Sequence, residues 1–572
     1  MPKLICKLLG RLSLPFHVLY RQFLLRVIDL EALSIQADIP RFLGQFAGVL
    51  IMFSLIQAIG LLIHPVMTPA ALFSMVWRTE QSLISSMMLA AGLIAVISWD
   101  NIFPDRRDVM VLSPLPVTSR TILFAKLAAS GAVLGLAVVS LNFASGLALP
   151  LVLGGVPRFP RVLAAYWFTM IAASLFLYCA VLTAQGFTAL LLPRRLFLRV
   201  SALLQLAAFG LFLGTYFIQP VLDTPAALAD AESQRFLHWS PSFWFFAVFN
   251  ELSGSLPPDF AWLARRAWLG LAIVVCGATA SLLLCYLRTM RKTVEEPDLV
   301  PGGRGWHWAP RLGSPLKTAI VLFSVRSLTR SRHHRVAFAF YLSIVFAIAL
   351  SSLKEAMSTP TLHPLTPDFL MSTLMMMCLA VVGLRSVFSL PISLNANWVL
   401  RVTQLYPSEN YIAAARRTLI TLAILPVWLC SALLSLCFRP LHLSAAHLTV
   451  LALVGFILTD LSLIGVSKIP FACSYLPGKS NIQYIFWGFL VIFFPIAKMF
   501  ANYEQRALHL SFQYVSMISA LAAVGIELWV FNRHHARSAV LYYEELPPEV
   551  ITTLGLSSFN SSSLSITSHR ES

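Results

Sequence analysis

Two stretches of this chain place ionisable residues where they could carry chemistry or transmit force. Asp460 stands inside the apolar run LVGFILTDLSLIGV, and a charge within such a run is costly enough to require a purpose. Two roles fit it. It pairs with Arg385 or Lys498 and pins helices together, or it contacts a substrate or a coupled ion. The second stretch, WDNIFPDRRDVMVLSPLPVTSRTILFAK at residues 99–126, is the densest polar feature of the chain. Pro104 stops simple helical continuation after Asp100 and Asn101, and Asp105, Arg106, Arg107 and Asp108 alternate in sign. Pro114 and Pro116 then frame a turn into a short helix with Thr118, Ser119 and Arg120, followed by Lys126. Such an elbow suits either docking of another protein or a salt-bridged loop that only fixes topology. PSENYIAAARR at residues 407–417 is a comparable loop: Glu409 and Asn410 suit a helix start, Arg416 and Arg417 its C-terminal end.

Other reactive types lead nowhere. Gly478-Lys479-Ser480 resembles the end of a phosphate-binding loop, but the glycine such a loop needs five residues before Gly478 is Cys473. His333-His334 and His534-His535 are adjacent pairs that cannot share a helix face, and arginines flank them. The eight cysteines show no metal-ligand spacing. No catalytic, cofactor-binding or metal-binding residue is expected in this chain.

The elements that must position these residues are membrane helices. The composition is 58% apolar and 12% charged, with a mean hydropathy of +0.77, whereas soluble domains carry roughly 25% charge. Twelve apolar runs read as spans, at residues 46–63, 83–103, 127–149, 163–191, 198–218, 267–287, 336–353, 369–390, 419–438, 448–466, 485–501 and 515–529. The third and fourth are overlong. Arginine and lysine concentrate before the first run and after each even-numbered run up to the tenth, which places both termini in the cytoplasm. The segment 219–262 on the opposite side carries five acids against Arg235. The net charge of +17 therefore reads as a topology signal with attraction to anionic lipid headgroups. It does not read as a nucleic-acid footprint, because the arginines scatter over several loops without a base-reading motif.

A shift of about 291 residues lays the first five runs on the seventh to eleventh, and also sets Pro116 on Pro407 and Lys126 on Arg417. The expected fold is thus an all-α polytopic membrane protein of about twelve transmembrane helices in two parallel six-helix halves. Residues 1–290 form the first half and 291–315 a cytoplasmic linker containing PGGRGWHWAP. Residues 316–530 form the second half and 531–572 a serine-rich cytoplasmic tail that cannot build its own core. Residues 16–33 and 316–330 are amphipathic enough for interfacial helices ahead of each half.

The arrangement resembles the membrane subunit of the ABC-2 export family, with two permease halves fused. It is most similar to large permease-like proteins of Acidobacteria, through FPDRRDVMVLSPLPV at residues 103–117, IPFACSYLPGKSN at 469–481 and TLGLS at 553–557. The resemblance implies an exporter of the bacterial inner membrane, with ATP bound only by separate ABC ATPase subunits. It further implies that Arg106, Arg107, Ser119, Arg120 and Lys126 form one coupling region for that ATPase and Glu409, Arg416 and Arg417 a second. The alternatives are an ion-coupled secondary transporter working through Asp460, or a noncatalytic membrane assembly protein.

Overall fold

A bilayer offers the backbone no hydrogen-bond partner, so a chain this apolar must satisfy its amides within helices. The computed structural model describes residues 14–28, 39–62, 69–99, 102, 110–112, 114–222, 239–255, 260–295, 314–358, 365–392, 397–398, 408–438, 441–464, 469–472, 482–538 and 541, and among these there is no strand. The first half contains α1 (Leu14–Ile28), α2 (Ile39–Leu62), α3 (Pro69–Ile97), α4 (Ser119–Leu141), α5 (Ser145–Leu191), α6 (Arg194–Leu222), α7 (Pro241–Ser253) and α8 (Ala261–Glu295). The second contains α9 (Pro315–Arg330), α10 (Arg332–Ser358) and α11 (Pro367–Phe388). Next comes α12, which joins Ser408–Leu419 and Leu425–Phe438 through a π turn at Ile420–Ile424. The last three are α13 (Leu441–Ser462), α14 (Ile482–Leu508) and α15 (Ser511–Ser538).

Among the described residues, eight stretches are long and apolar enough to cross a membrane: Trp77–Ile97, Ser119–Leu141, Pro157–Leu191, Ala261–Leu284, Pro367–Phe388, Glu409–Ser435, His442–Ser462 and Ser511–Arg537. Shorter apolar stretches lie in α2, α6 and α10. Met52, Ile56 and Ile59 on α2, and Phe512, Val515 and Ile526 on α15, point outward. Water would penalise such surfaces, whereas lipid solvates them. This is the pattern of a multi-pass membrane protein. Helices form over most of the two stretches expected at residues 16–33 and 316–330, as α1 and α9.

Local chemistry sets the helix ends. Thr118, Ser314 and Thr366 accept the backbone N–H three residues on, at 3.3, 3.4 and 3.3 Å. Pro315 and Pro367 then open α9 and α11, where a missing N–H costs nothing. Because Thr118 caps α4 itself, Ser119 and Arg120 form the first turn of that long helix, and the separate short helix expected around them does not exist. Gly254, at φ 84°, ends α7 in the left-handed region that glycine enters freely.

The third and fourth spans differ in detail from expectation. α4 stops at Leu141, where the Asn142 side chain donates to the Val138 carbonyl at 2.8 Å and competes with the helix. The amides of Ala144 and Ser145 both donate to Ser54 Oγ on α2 at 3.1 Å. Along a straight α5, Ser145 and Tyr166 would stand about 31 Å apart, yet their hydroxyls are 3.3 Å apart. The chain therefore doubles back between them, where Gly154 meets the backbone of Phe159 and Pro157 and Pro160 interrupt the hydrogen-bond ladder.

Each half has its own apolar core. One cluster draws on residues 58–282 with Ala339, the other on residues 328–501. Four pairings recur: α1 on α4 as α9 on α12, α3 on α5 as α11 on α13, α5 on α8 as α13 on α15, and α3 on α6 as α11 on α14. Between the halves α6 packs on α10, where Gly210 and Gly214 admit Phe346 and Leu350. In lipid such close approach is a main source of helix association. The tightest case joins α11 to α10: a Cβ added to Gly383 would stand 2.5 Å from Tyr341 Cβ. Gly383→Ala should therefore destabilise the protein by about 1–3 kcal/mol and lower its melting temperature in detergent. Gly131→Ala, with nothing within 4 Å, should leave it unchanged or slightly raised; equal melting of the two variants would contradict this packing.

Candidate functional site

Where α12 begins and α11, α13 and α15 end, the second half is stitched together by charge. Asp460 lies two residues before the end of α13, not at mid-span, because the helix stops at Ser462. Its partner is neither Arg385 nor Lys498. Arg416 on α12 grips it bidentately, Nε to Oδ1 at 2.7 Å and Nη2 to Oδ2 at 2.9 Å. Asp460 is only 1% exposed and Arg416 29%, so the arginine brings a charge from the edge of the bundle to a buried carboxylate. Arg385, at the end of α11, donates instead to the Ser462 carbonyl at 3.1 Å and caps α13. An acid at a helix C-terminus opposes the macrodipole, and the two guanidiniums offset that cost. Asn532 on α15 donates to the Asp460 carbonyl at 2.7 Å, and Arg533 and Arg537 bracket Glu409 at 3.3 and 3.6 Å. Lys498 is exposed on α14.

Arg416 and Arg417 precede the π turn at Ile420–Ile424, where Leu425 N–H reaches back to the Ile420 carbonyl. Pro426 follows directly and has no N–H to continue the α ladder, so the helix widens by one residue there. α12 thus has a locally altered turn between its charged start and its apolar remainder.

The first half places its coupling residues differently. Ser119 is half-buried and Arg120 exposed. Lys126 is 2% exposed beneath α1, with its ammonium 5.1 Å from the centre of the Phe23 ring. Phe16, Leu19 and Phe23 of α1 close over Ile122, Ala125 and Ala129 of α4. Lys126 is thus enclosed between α1 and α4 and is not open to a partner. Arg106 and Arg107 lie outside the described residues.

α9 repeats this arrangement: its Ile320 and Val321 pack on Tyr411 and Ala414 of α12 and on Ile469 and Ala472. Phe471, at φ 65°, exchanges backbone hydrogen bonds with Phe388 and Ile392 and sets its ring against Phe323, His334 and Phe388. This much of the motif at 469–481 is docked. Gly478-Lys479-Ser480, the inter-half linker 301–310 and the tail beyond Leu541 lie outside the described residues.

The opposite end of the bundle holds buried polar groups that the sequence did not single out. In the first half Glu80 is 6% exposed, with Asn250 Nδ2 at 3.5 Å. Beside it Tyr166 donates to Asn142 at 2.6 Å. In the second half Thr373 Oγ1 lies 2.9 Å from His447 Nε2, and His447 Nδ1 lies 2.7 Å from Glu504 Oε1. All three residues are fully buried. Glu80 sits next to an apolar run rather than inside one, and Glu504 falls just past the expected end of its span, so neither drew notice. Among the described residues no three His, Cys, Asp or Glu side chains gather to hold a metal ion.

No protein-family model, curated protein or solved structure matches the chain.

The reassigned pair is directly measurable. A double-mutant cycle of Arg416→Ala and Asp460→Ala, read by thermal unfolding in detergent, should give a coupling of about 1 kcal/mol or more. The cycle of Arg385→Ala with Asp460→Ala should give a smaller coupling, since Arg385 holds a carbonyl rather than the carboxylate. Larger coupling to Arg385 would restore the original pairing.

Proposed function

We propose that the chain is the membrane permease subunit of an ATP-driven exporter, with twelve spans in two ABC-2-like halves and a separate ATPase subunit on its basic face. One observation carries this reading. In each half an interfacial helix packs on the opening turns of the third-span helix, α1 on α4 and α9 on α12. A protein held at that surface in both halves can move the two helices together.

ATP binding and hydrolysis belong to the partner, and this chain supplies the mechanical path. A push on the start of α12 passes through the rigid, bidentate Arg416–Asp460 contact to α13. The Asn532 contact carries it to α15, while the π turn lets α12 bend beyond the charged end. Arg120 is the exposed cation at the matching place in the first half. Asp460, the residue that suggested the ion-coupled alternative, is engaged by Arg416.

Gentle extraction should recover the chain with an ABC ATPase, and the reconstituted complex should export only with ATP. Arg120→Glu should weaken that association several-fold, while insertion is preserved because the remaining basic loops still set topology. Absence of any ATPase together with flux driven by an ion gradient alone would overturn the reading.

A further inference from the structure

The geometry points to a binding site for one anionic phospholipid on the exposed flank of α5, in the leaflet at the end of the bundle where α8 begins. After the chain doubles back, α5 carries Arg161, Ala164, Phe168, Ile171 and Leu175 at spacings of three and four residues, and all five are exposed. That spacing puts them in a single stripe on one side of the helix. Tyr178 and Leu182, which would continue it, are buried. From Arg161 to Leu175 the stripe is about 21 Å long. One leaflet with its headgroup region is about 20–22 Å deep. The stripe thus has the length of one lipid, with the arginine where the phosphate lies.

The cation at its head is held in place. Arg161 Nε donates to the Leu252 carbonyl at 2.9 Å, and the guanidinium lies against Gly254, where an added Cβ would stand 2.9 Å from Nη2. This contact ties Arg161 to the end of α7 and leaves both Nη groups to donate elsewhere. A second exposed cation, Arg265, stands five residues into α8. Neither arginine forms an ion pair with any described residue. Arginine keeps its charge in such surroundings, so the counter-charge comes from outside the chain.

The neighbouring side chains suit a lipid as well. The Trp268 ring lies 5.7 Å from the Phe168 ring, and its Nε1 donates to Glu251 at 3.3 Å. An indole with one apolar side and one satisfied N–H is characteristic of headgroup level. Arg265 is one turn from Trp268, close enough for their side chains to meet. Among the described residues Glu251 is the acid at this corner, so the two guanidiniums exceed it by one positive charge. A phosphodiester with one negative charge balances them and accepts paired N–H groups. A zwitterionic headgroup brings a cation of its own and leaves the excess in place. The site needs no ATPase and stands independently of the exporter reading.

Photocrosslinking of the full chain in phosphatidylcholine nanodiscs tests it. The probe is phosphatidylglycerol with a diazirine on one acyl chain, and adducts are mapped by peptide mass spectrometry. Adducts should concentrate between Phe168 and Leu175 and fall several-fold when unlabelled phosphatidylglycerol is added. The same probe built on phosphatidylcholine should label this stretch several-fold less. Arg161→Gln and Arg265→Gln should each lower the phosphatidylglycerol adduct several-fold; Arg265→Gln serves where Arg161→Gln loosens the end of α7. Arg266→Gln removes the same charge one residue away, from a guanidinium already set over the Trp262 ring at 4.5 Å, and should leave the adduct unchanged. Glu251→Gln should leave it unchanged or raise it. Equal labelling by the two probes would overturn the site in favour of ordinary lipid contact. Equal losses in Arg265→Gln and Arg266→Gln, or a loss in Glu251→Gln, would overturn the charge assignment.

Discussion

Inside a bilayer no solvent rescues a stranded charge, and each polar group must be answered by another side chain or by backbone. Asp460 shows the constraint at work. Its carboxylate is held by two nitrogens of one guanidinium, its carbonyl by Asn532, and the helix end beside it by Arg385. Loss of Arg416 would leave a buried carboxylate unbalanced, which is why one pair can set the relation of α12 to α13. The same rule explains the Ser54 hydroxyl that accepts the amides of Ala144 and Ser145 where α4 breaks. It also explains why Lys126 is roofed by α1 and set over the Phe23 ring.

Between the two ends of the bundle, glycines let helices approach closely. Gly92 faces Phe212, Gly277 faces Thr183 and Gly383 faces Tyr341, each at a distance no larger side chain would permit without movement. Close approach of this kind supplies dispersion contacts where the hydrophobic effect between helices is weak. Two separate apolar cores are joined chiefly through the packing of α6 on α10.

Much of this was legible in the sequence because lipid enforces long apolar helices. Eight of the twelve expected spans, the helices beginning near residues 16 and 316, and the helix start near Glu409 follow from apolar length, amphipathic spacing and capping residues. Distances across the bundle were not legible. Asp460 looked central because the apolar run continues to Val466, whereas the helix ends at Ser462 and brings the acid level with Arg416. The π turn reflects one missing N–H at Pro426, which spacing alone does not reveal as a widened turn rather than a break. Thr373, His447 and Glu504 come from three distant segments, and no local pattern links them. The doubling back of α5 was foreshadowed by Gly154, Pro157 and Pro160, but the contact of Ser145 with Tyr166 is tertiary.

The central claim is that both halves enter the membrane from the same side, so that the starts of α4 and α12 share one face while α7 and the α14–α15 turn share the other. Side-specific labelling of single cysteines, placed in a cysteine-free background at Arg120, Glu409, Ser255 and His509, tests this most directly. The account predicts that an impermeant thiol reagent reaches the first two only from the side of the basic loops and the last two only from the opposite side. Labelling of Arg120 and Glu409 positions from opposite faces would contradict it.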